Sequence, residues 1–112
     1  MKKTIFGKII SGELPSVKVF ENETIIAIKD VSPRAPVHIL IMPKKEYKNL
    51  QEIPKEELYI IGEIVYVAQS IAREMGIEDN YRFLTNNGIK AGQSVFHLHF
   101  HLIGGKELGP IA

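Results

Sequence analysis

The sequence predicts an α+β domain, and two observations carry that reading. Apolar residues recur at helical spacing across residues 54–75. Five shorter runs, rich in β-branched and aromatic residues and separated by turns, complete the order helix, three strands, long helix, two strands. Strands joined by short turns pair antiparallel, so the expected sheet is antiparallel and five-stranded, with two helices. The 112 residues suit one domain spanning 1–112. A chain of that size buries roughly two-thirds of the surface it exposes when unfolded, enough for a real core.

Each element has its own local reason. Thr4 can cap a short helix reaching about Ser11, with Ile5, Phe6, Ile9 and Ile10 as its apolar side and Gly12 and Pro15 ending it. "VKVFEN" (17–22) and "TIIAIKD" (24–30) flank a short Asn22-Glu23 turn and form a hairpin. "SPRAP" is a proline-fenced loop, and "VHILIMP" (37–43) is a strand stopped by Pro43. The long helix starts near Pro54 and stops at Gly76. Leu58, Ile61, Ile64, Val65, Ala68, Ile71, Ala72 and Met75 form its apolar stripe, which Ile60, Tyr66 and Val67 widen. A stripe that wide implies either a deeply buried helix or one that meets a second subunit. "YRFLTNN" (81–87) is a strand, "NGIKAGQS" (87–94) a glycine-bearing turn, and "VFHLHFHLIG" (95–104) the last strand.

Composition excludes several classes. Fourteen Lys and Arg against thirteen Asp and Glu leave a formal charge of +1, spread along the chain. No basic run tracks a phosphate backbone, so nucleic acid is not an expected partner. Cysteine is absent, which removes disulfide frameworks and thiolate zinc sites. The start "MKKTIFGKIISGEL" is broken by Gly7, Lys8, Ser11, Gly12 and Glu13 before a signal-peptide core can form. The apolar stretch around residues 60–71 is interrupted by Gly62, Glu63, Gln69 and Ser70 and falls short of a membrane span. The expectation is a soluble cytoplasmic protein with no membrane partner.

The unusual stretch is "QSVFHLHFHLIGG" (93–105), which holds three of the four histidines. In a strand, His97, His99 and His101 would share one face with Val95, and Phe96, Leu98, Phe100 and Leu102 would enter the core. Three readings compete. A metal site could add His38 as a ligand, but positions i and i+4 of a strand lie roughly 13–14 Å apart, too far for one ion. A structural reading lets the imidazoles fill hydrogen bonds at a sheet surface. A catalytic reading has one ring nitrogen attack an electrophile while the other is held by a hydrogen bond. Phosphorus suits that chemistry, because a phosphorylated imidazole is a good leaving group. Upstream, Gly92, Gln93 and Ser94 offer close backbone approach, an amide and a hydroxyl. Successive N–H groups of such a turn can form an anion-binding nest, and Asn86 can reach the same place.

Together with "TIFGKIISGELPS", "DVSPRAPVHILIMPKK" (30–45), "YRFLTNNG" (81–88) and "GGKELGP" (104–110), the motif "HLHFHLI" (97–103) resembles the histidine triad superfamily in its nucleotide-binding, phosphoramidase-type branch. The resemblance covers nearly the whole chain. It implies the five-stranded sheet with two helices, and homodimers whose sheets become continuous while the long helices pack together. It implies purine nucleoside monophosphates and their phosphoramidates as ligands, hydrolysis of P–N or acyl-phosphate bonds, and no required cofactor or metal. His99 matches the nucleophile, His101 the residue facing phosphate and leaving group, His97 its backbone support and His38 a fourth histidine behind them. Asp30 matches the carboxylate that holds the ribose hydroxyls, although alone it reads as the turn residue before Ser32-Pro33. Asn86, Gly92, Gln93 and Ser94 match phosphate and leaving-group contacts, and Ile5, Phe6, Ile9, Ile28, Val31 and Leu40 match a base pocket. A histidine near its ordinary pKa of about 6.5 would protonate the leaving amine. Lys29 stands where animal relatives often have histidine, and the tail lacks a tryptophan found in some. "HLIGG" in place of a proline-arginine continuation argues against the dinucleoside polyphosphate branch. A nucleotide-binding scaffold with incidental hydrolysis is the rival from another class.

Overall fold

The computed structural model describes residues 3–111. Helix α1 (Ile5–Ile10) is followed by β1 (Lys18–Glu21), β2 (Ile25–Lys29) and β3 (Val37–Pro43), then α2 (Tyr59–Glu74), β4 (Tyr81–Leu84) and β5 (Phe100–Gly104). The five strands form one sheet in the order β1-β2-β3-β5-β4, and every neighbouring pair is antiparallel. The expected class, strand number and helix number are those observed.

Both faces of the sheet are covered, which is why β2 and β3 read as almost continuous apolar runs. On one face Ile25, Ala27, Ile39, Ile41, Phe100 and Leu102 meet α2 through Ile60, Ile64, Val67, Ala68, Ile71 and Ala72. Each of the large aliphatic side chains contributes roughly 1.5–3 kcal/mol by leaving water. On the other face Ile26, Ile28, Leu40 and Met42 meet Phe6 and Ile9 of α1 in a smaller core. Six residues make a marginal helix by themselves. Packing and the Thr4 hydroxyl, which accepts from the Gly7 N–H at 3.0 Å, hold α1 in place.

Three expectations are corrected. The long helix begins at Tyr59, because Pro54 opens a separate 3-10 turn at Lys55–Glu57. Its buried stripe includes Ile60 and Val67, while Leu58, Tyr59, Val65 and Tyr66 face outward. The last strand begins at Phe100 rather than Val95, so only His101 of the three histidines lies in the ladder. β4 stops at Leu84, opposite His101, and the pairing with β3 stops at Ile41–Phe100 although β3 itself runs on to Pro43, so residues 95–99 stand outside the ladder. The stop at Gly76, whose φ is +70°, is as expected.

Gly104 closes β5 in a crowded place. A Cβ there would sit 2.8 Å from Ile77 Cδ1 and 3.2 Å from the Asn80 carbonyl oxygen. The expected result for Gly104→Ala is a loss of about 1–3 kcal/mol of unfolding free energy, measured by urea titration.

Candidate active site

The histidines gather on the α1 face of the sheet, at the end where β3 and β5 pair. Leu40 lies opposite His101, and His38 opposite Ile103, so the His38 and His101 rings meet diagonally across the two strands. His38 Nε2 and His101 Nδ1 are 2.9 Å apart. The rings of His99 and His101 are 5.2 Å apart, and Phe6 of α1 meets His99 edge-on at 4.8 Å.

The hydrogen bonds assign the protons. His99 Nδ1 lies 2.7 Å from the His97 carbonyl oxygen, which can only accept, so Nδ1 carries the hydrogen and Nε2 keeps its lone pair. His97 Nε2 lies 2.7 Å from the Pro43 carbonyl oxygen and is likewise the protonated nitrogen. Its Nδ1 is buried without a partner among the described residues. The Arg34 N–H donates to His38 Nδ1 at 3.0 Å, so His38 bears its hydrogen on Nε2 and donates it to His101 Nδ1. His101 therefore presents Nε2–H. A lone pair on His99 and a donor on His101 stand side by side, which is the division of labour a nucleophile and an anion-stabilising group need.

All four imidazoles are held neutral. Burial is the main cause in each case. His101 is pulled down to about 4, by burial first and then by His99 and His38, with Asp30 opposing. This corrects the expectation of a histidine near 6.5. Asp30 Oδ2 lies 3.3 Å from His38 Nε2, but His38 is pulled down by burial and its Nε2 hydrogen is directed at His101, so the contact is not an ion pair.

Asp30 follows β2 and serves the turn as well, accepting the Ser32 N–H at 2.8 Å through Oδ1. A carboxylate has about four acceptor positions, so lone pairs remain for two hydroxyls. Phe6, Ile9, Ile28 and Leu40 are buried together, whereas Ile5 is exposed and Val31 is 97 % exposed, placing both at a rim. Asn86 rests on Gly92: a Cβ there would meet Asn86 Nδ2 at 3.5 Å. Ser94 is exposed. Of the anion nest expected over 87–94, the N–H groups of Gly88, Ala91, Gly92 and Gln93 are already engaged within the loop, by the Gln93 side chain and by carbonyls of the same turn. Gln93 also departs from expectation, since its side chain points inward and bonds to protein.

Sequence reasoning missed the supports. Thr85 Oγ1 donates to the His99 carbonyl at 2.7 Å, and the Leu98 N–H donates to the Tyr47 carbonyl at 2.7 Å. Main-chain acceptors carry no sequence signal, though a threonine directly after a strand could have been noticed. Asp30, His38 and His101 bring ligand atoms within 4.8 Å of one another and are the group of described residues able to hold a cation. A metal there would displace the proton shared by the two rings. Cavities of about 770 Å³, beside Gly105 and Arg82, and about 720 Å³, beside Lys48 and Phe96, contain no histidine. The site is defined by its polar cluster, not by cavity size.

Fold and site define a class: an α+β domain with clustered neutral histidines, one offering a lone pair and one a donor. The HIT domain family model matches residues 11–108, and the chain belongs to the HIT family. It is 52% identical to a HIT-like protein of Chlamydia pneumoniae, over 97% of this chain and 99% of that one. It is 40% identical to adenylylsulfatase HINT1 of Arabidopsis thaliana, over 94% of this chain and 73% of that one. A solved HIT family hydrolase from Clostridium thermocellum superposes with a TM-score of 0.93 at 47% identity, covering 98% of this chain and 96% of that one.

The depressed His101 fixes a sign for pH dependence. Unfolded, the imidazole takes up its proton near 6.5; folded, it does so only near about 4. The unfolded state therefore binds more protons in that window, and stability falls as pH drops through it and is level above. Unfolding free energy measured at intervals across the window should fall by on the order of 2–3 kcal/mol from this residue, and His101→Asn should flatten the slope.

Proposed function

We propose that the protein is a purine nucleoside phosphoramidase. It cleaves the P–N or acyl-phosphate bond of nucleoside 5'-monophosphate derivatives through a nucleotidyl-histidine intermediate. The observation that carries this reading is the tautomer of His99, whose Nε2 lone pair is freed by the bond from Nδ1–H to the His97 carbonyl. Membership of the HIT family, with a solved HIT family hydrolase among the similar structures, supports it. So does a relative named for acting on an adenylyl compound.

In the proposed reaction His99 Nε2 attacks the α-phosphorus and the P–N bond breaks. The departing nitrogen must gain a proton. His101 is neutral in the free protein, but the negative charge of an arriving phosphate raises its proton affinity. The His38 Nε2 hydrogen crosses to His101 Nδ1 while His38 takes a solvent proton on Nδ1 in place of the Arg34 bond, so substrate recruits the proton it needs. His101 passes that proton to the leaving amine and, neutral again, helps water attack the phosphorus and release the nucleoside monophosphate from His99. Asp30 holds the ribose hydroxyls, and Asn86 and Ser94 contact the phosphate. Phe6, Ile9, Ile28 and Leu40, with Ile5 and Val31 at the rim, flank the base. No cofactor is required, and a chelator should leave the rate unchanged.

His99→Ala should reduce hydrolysis of adenosine 5'-phosphoramidate by about 10³-fold or more while AMP still binds. Turnover at the parental rate would sink the mechanism.

The protein is further proposed to be a cytoplasmic homodimer. The outward face of α2 carries Tyr59, Val65 and Tyr66, with Leu58 just before it, more apolar surface than a free helix needs. Packing two such faces together would bury it, and pairing of outer strands would carry the sheet across. Sedimentation at micromolar concentration should give a dimer, and Tyr66→Glu a monomer.

A further inference from the structure

We propose that Gln93 is a positioning residue, whose side chain clamps the 88–95 loop to the chain leaving β3 and so fixes Ser94 and Asn86 for the phosphate. The role in catalysis rests on the nucleotide reading above; the clamp itself does not.

Gln93 is 4 % exposed, very low for a carboxamide on a surface loop. Its Oε1 accepts the Gly88 N–H at 2.8 Å, and its own N–H donates to the Gly88 carbonyl at 3.0 Å. Its Nε2 donates to the Lys48 carbonyl at 2.8 Å and to the Val95 carbonyl at 3.0 Å. Both amide hydrogens are thus used inside the protein, and no donor is left for a ligand.

The bonds meet at one loop. Gly88 and Gly92, with φ of +97° and +101°, frame the 3-10 turn Ile89–Ala91, and Gln93 fastens the first of them while following the second in the chain. The bond to the Val95 carbonyl closes the chain around Ser94 and turns that residue outward. Asn86 lies on Gly92, so a shift of the loop shifts Asn86. Two further bonds run alongside, from Leu98 N–H to the Tyr47 carbonyl and from His97 Nε2 to the Pro43 carbonyl. The segment 43–48 is therefore the fixed side, and Gln93 is the side-chain member that reaches the glycine turn. Asp30 and α1 make no hydrogen bond to Gln93, so the ribose and base end should not sense its loss.

The test uses the full chain with Gln93→Ala and Gln93→Glu. Hydrogen exchange in the ligand-free protein should show the Gly88 amide exchanging faster in the alanine variant. Calorimetry should show adenosine affinity unchanged, while AMP affinity and kcat on adenosine 5'-phosphoramidate fall about 10- to 100-fold. Gln93→Glu keeps the acceptor for Gly88 but lacks both hydrogens when ionised. Its kcat relative to wild type should recover as pH falls from about 8 to about 5.5, because a protonated carboxyl restores one donor. Unchanged Gly88 exchange in the alanine variant would overturn the clamp, as would an equal loss of adenosine and AMP affinity or full AMP binding with full turnover. A wild-type protein that binds neither adenosine nor AMP would overturn the nucleotide reading instead, and the exchange measurement, which needs no ligand, would still judge the clamp.

Discussion

The bond from His99 Nδ1 to the carbonyl of His97 organises the site and the strand around it. A carbonyl that accepts from an imidazole two residues on points along its own chain, away from a neighbouring strand. The next carbonyl of that series, at His99, is taken by the Thr85 hydroxyl. With both acceptors engaged by side chains, residues 97–99 have little to offer a ladder, and β5 starts at Phe100. The same bond chooses the tautomer. Local backbone geometry and chemical reactivity are thus two results of one contact.

Desolvation is the second constraint. α1 is short, yet it covers the far face of the sheet and sets Phe6 against His99. Burial makes a positive charge on any of the rings unfavourable, and the rings oppose one another's protonation. A neutral imidazole is both a better nucleophile than its protonated form and a donor through its remaining N–H. The apolar cover and the polar cluster are therefore parts of one device.

Much of this was legible in the chain. The caps, turns and alternating runs at Thr4, Asn22, Pro43 and Gly76 carry local signals, and the elements appear where those signals stand. The apolar period of α2 was plain, but which residues face inward was not, because the wide stripe fits several rotations. The alternation "HLHFHLI" imitates a strand over its whole length. Its first half leaves the ladder for reasons held in Pro43, Tyr47 and Thr85, far away in sequence. Gln93 reads as a polar loop residue until Lys48 and Gly88 are seen to surround it. The lowered proton affinities were illegible for the same reason, since burial and ring-to-ring distance are properties of the fold.

Three of the four imidazoles take their orientation from main-chain atoms: the carbonyls of Pro43 and His97 and the N–H of Arg34. Peptide groups do not change when side chains do. Position 34 can drift to almost any residue and keep its bond to His38, with proline the exception because it has no N–H. A site supported this way tolerates wide sequence change around a few fixed histidines, so variation at neighbouring positions says little about whether the chemistry is retained.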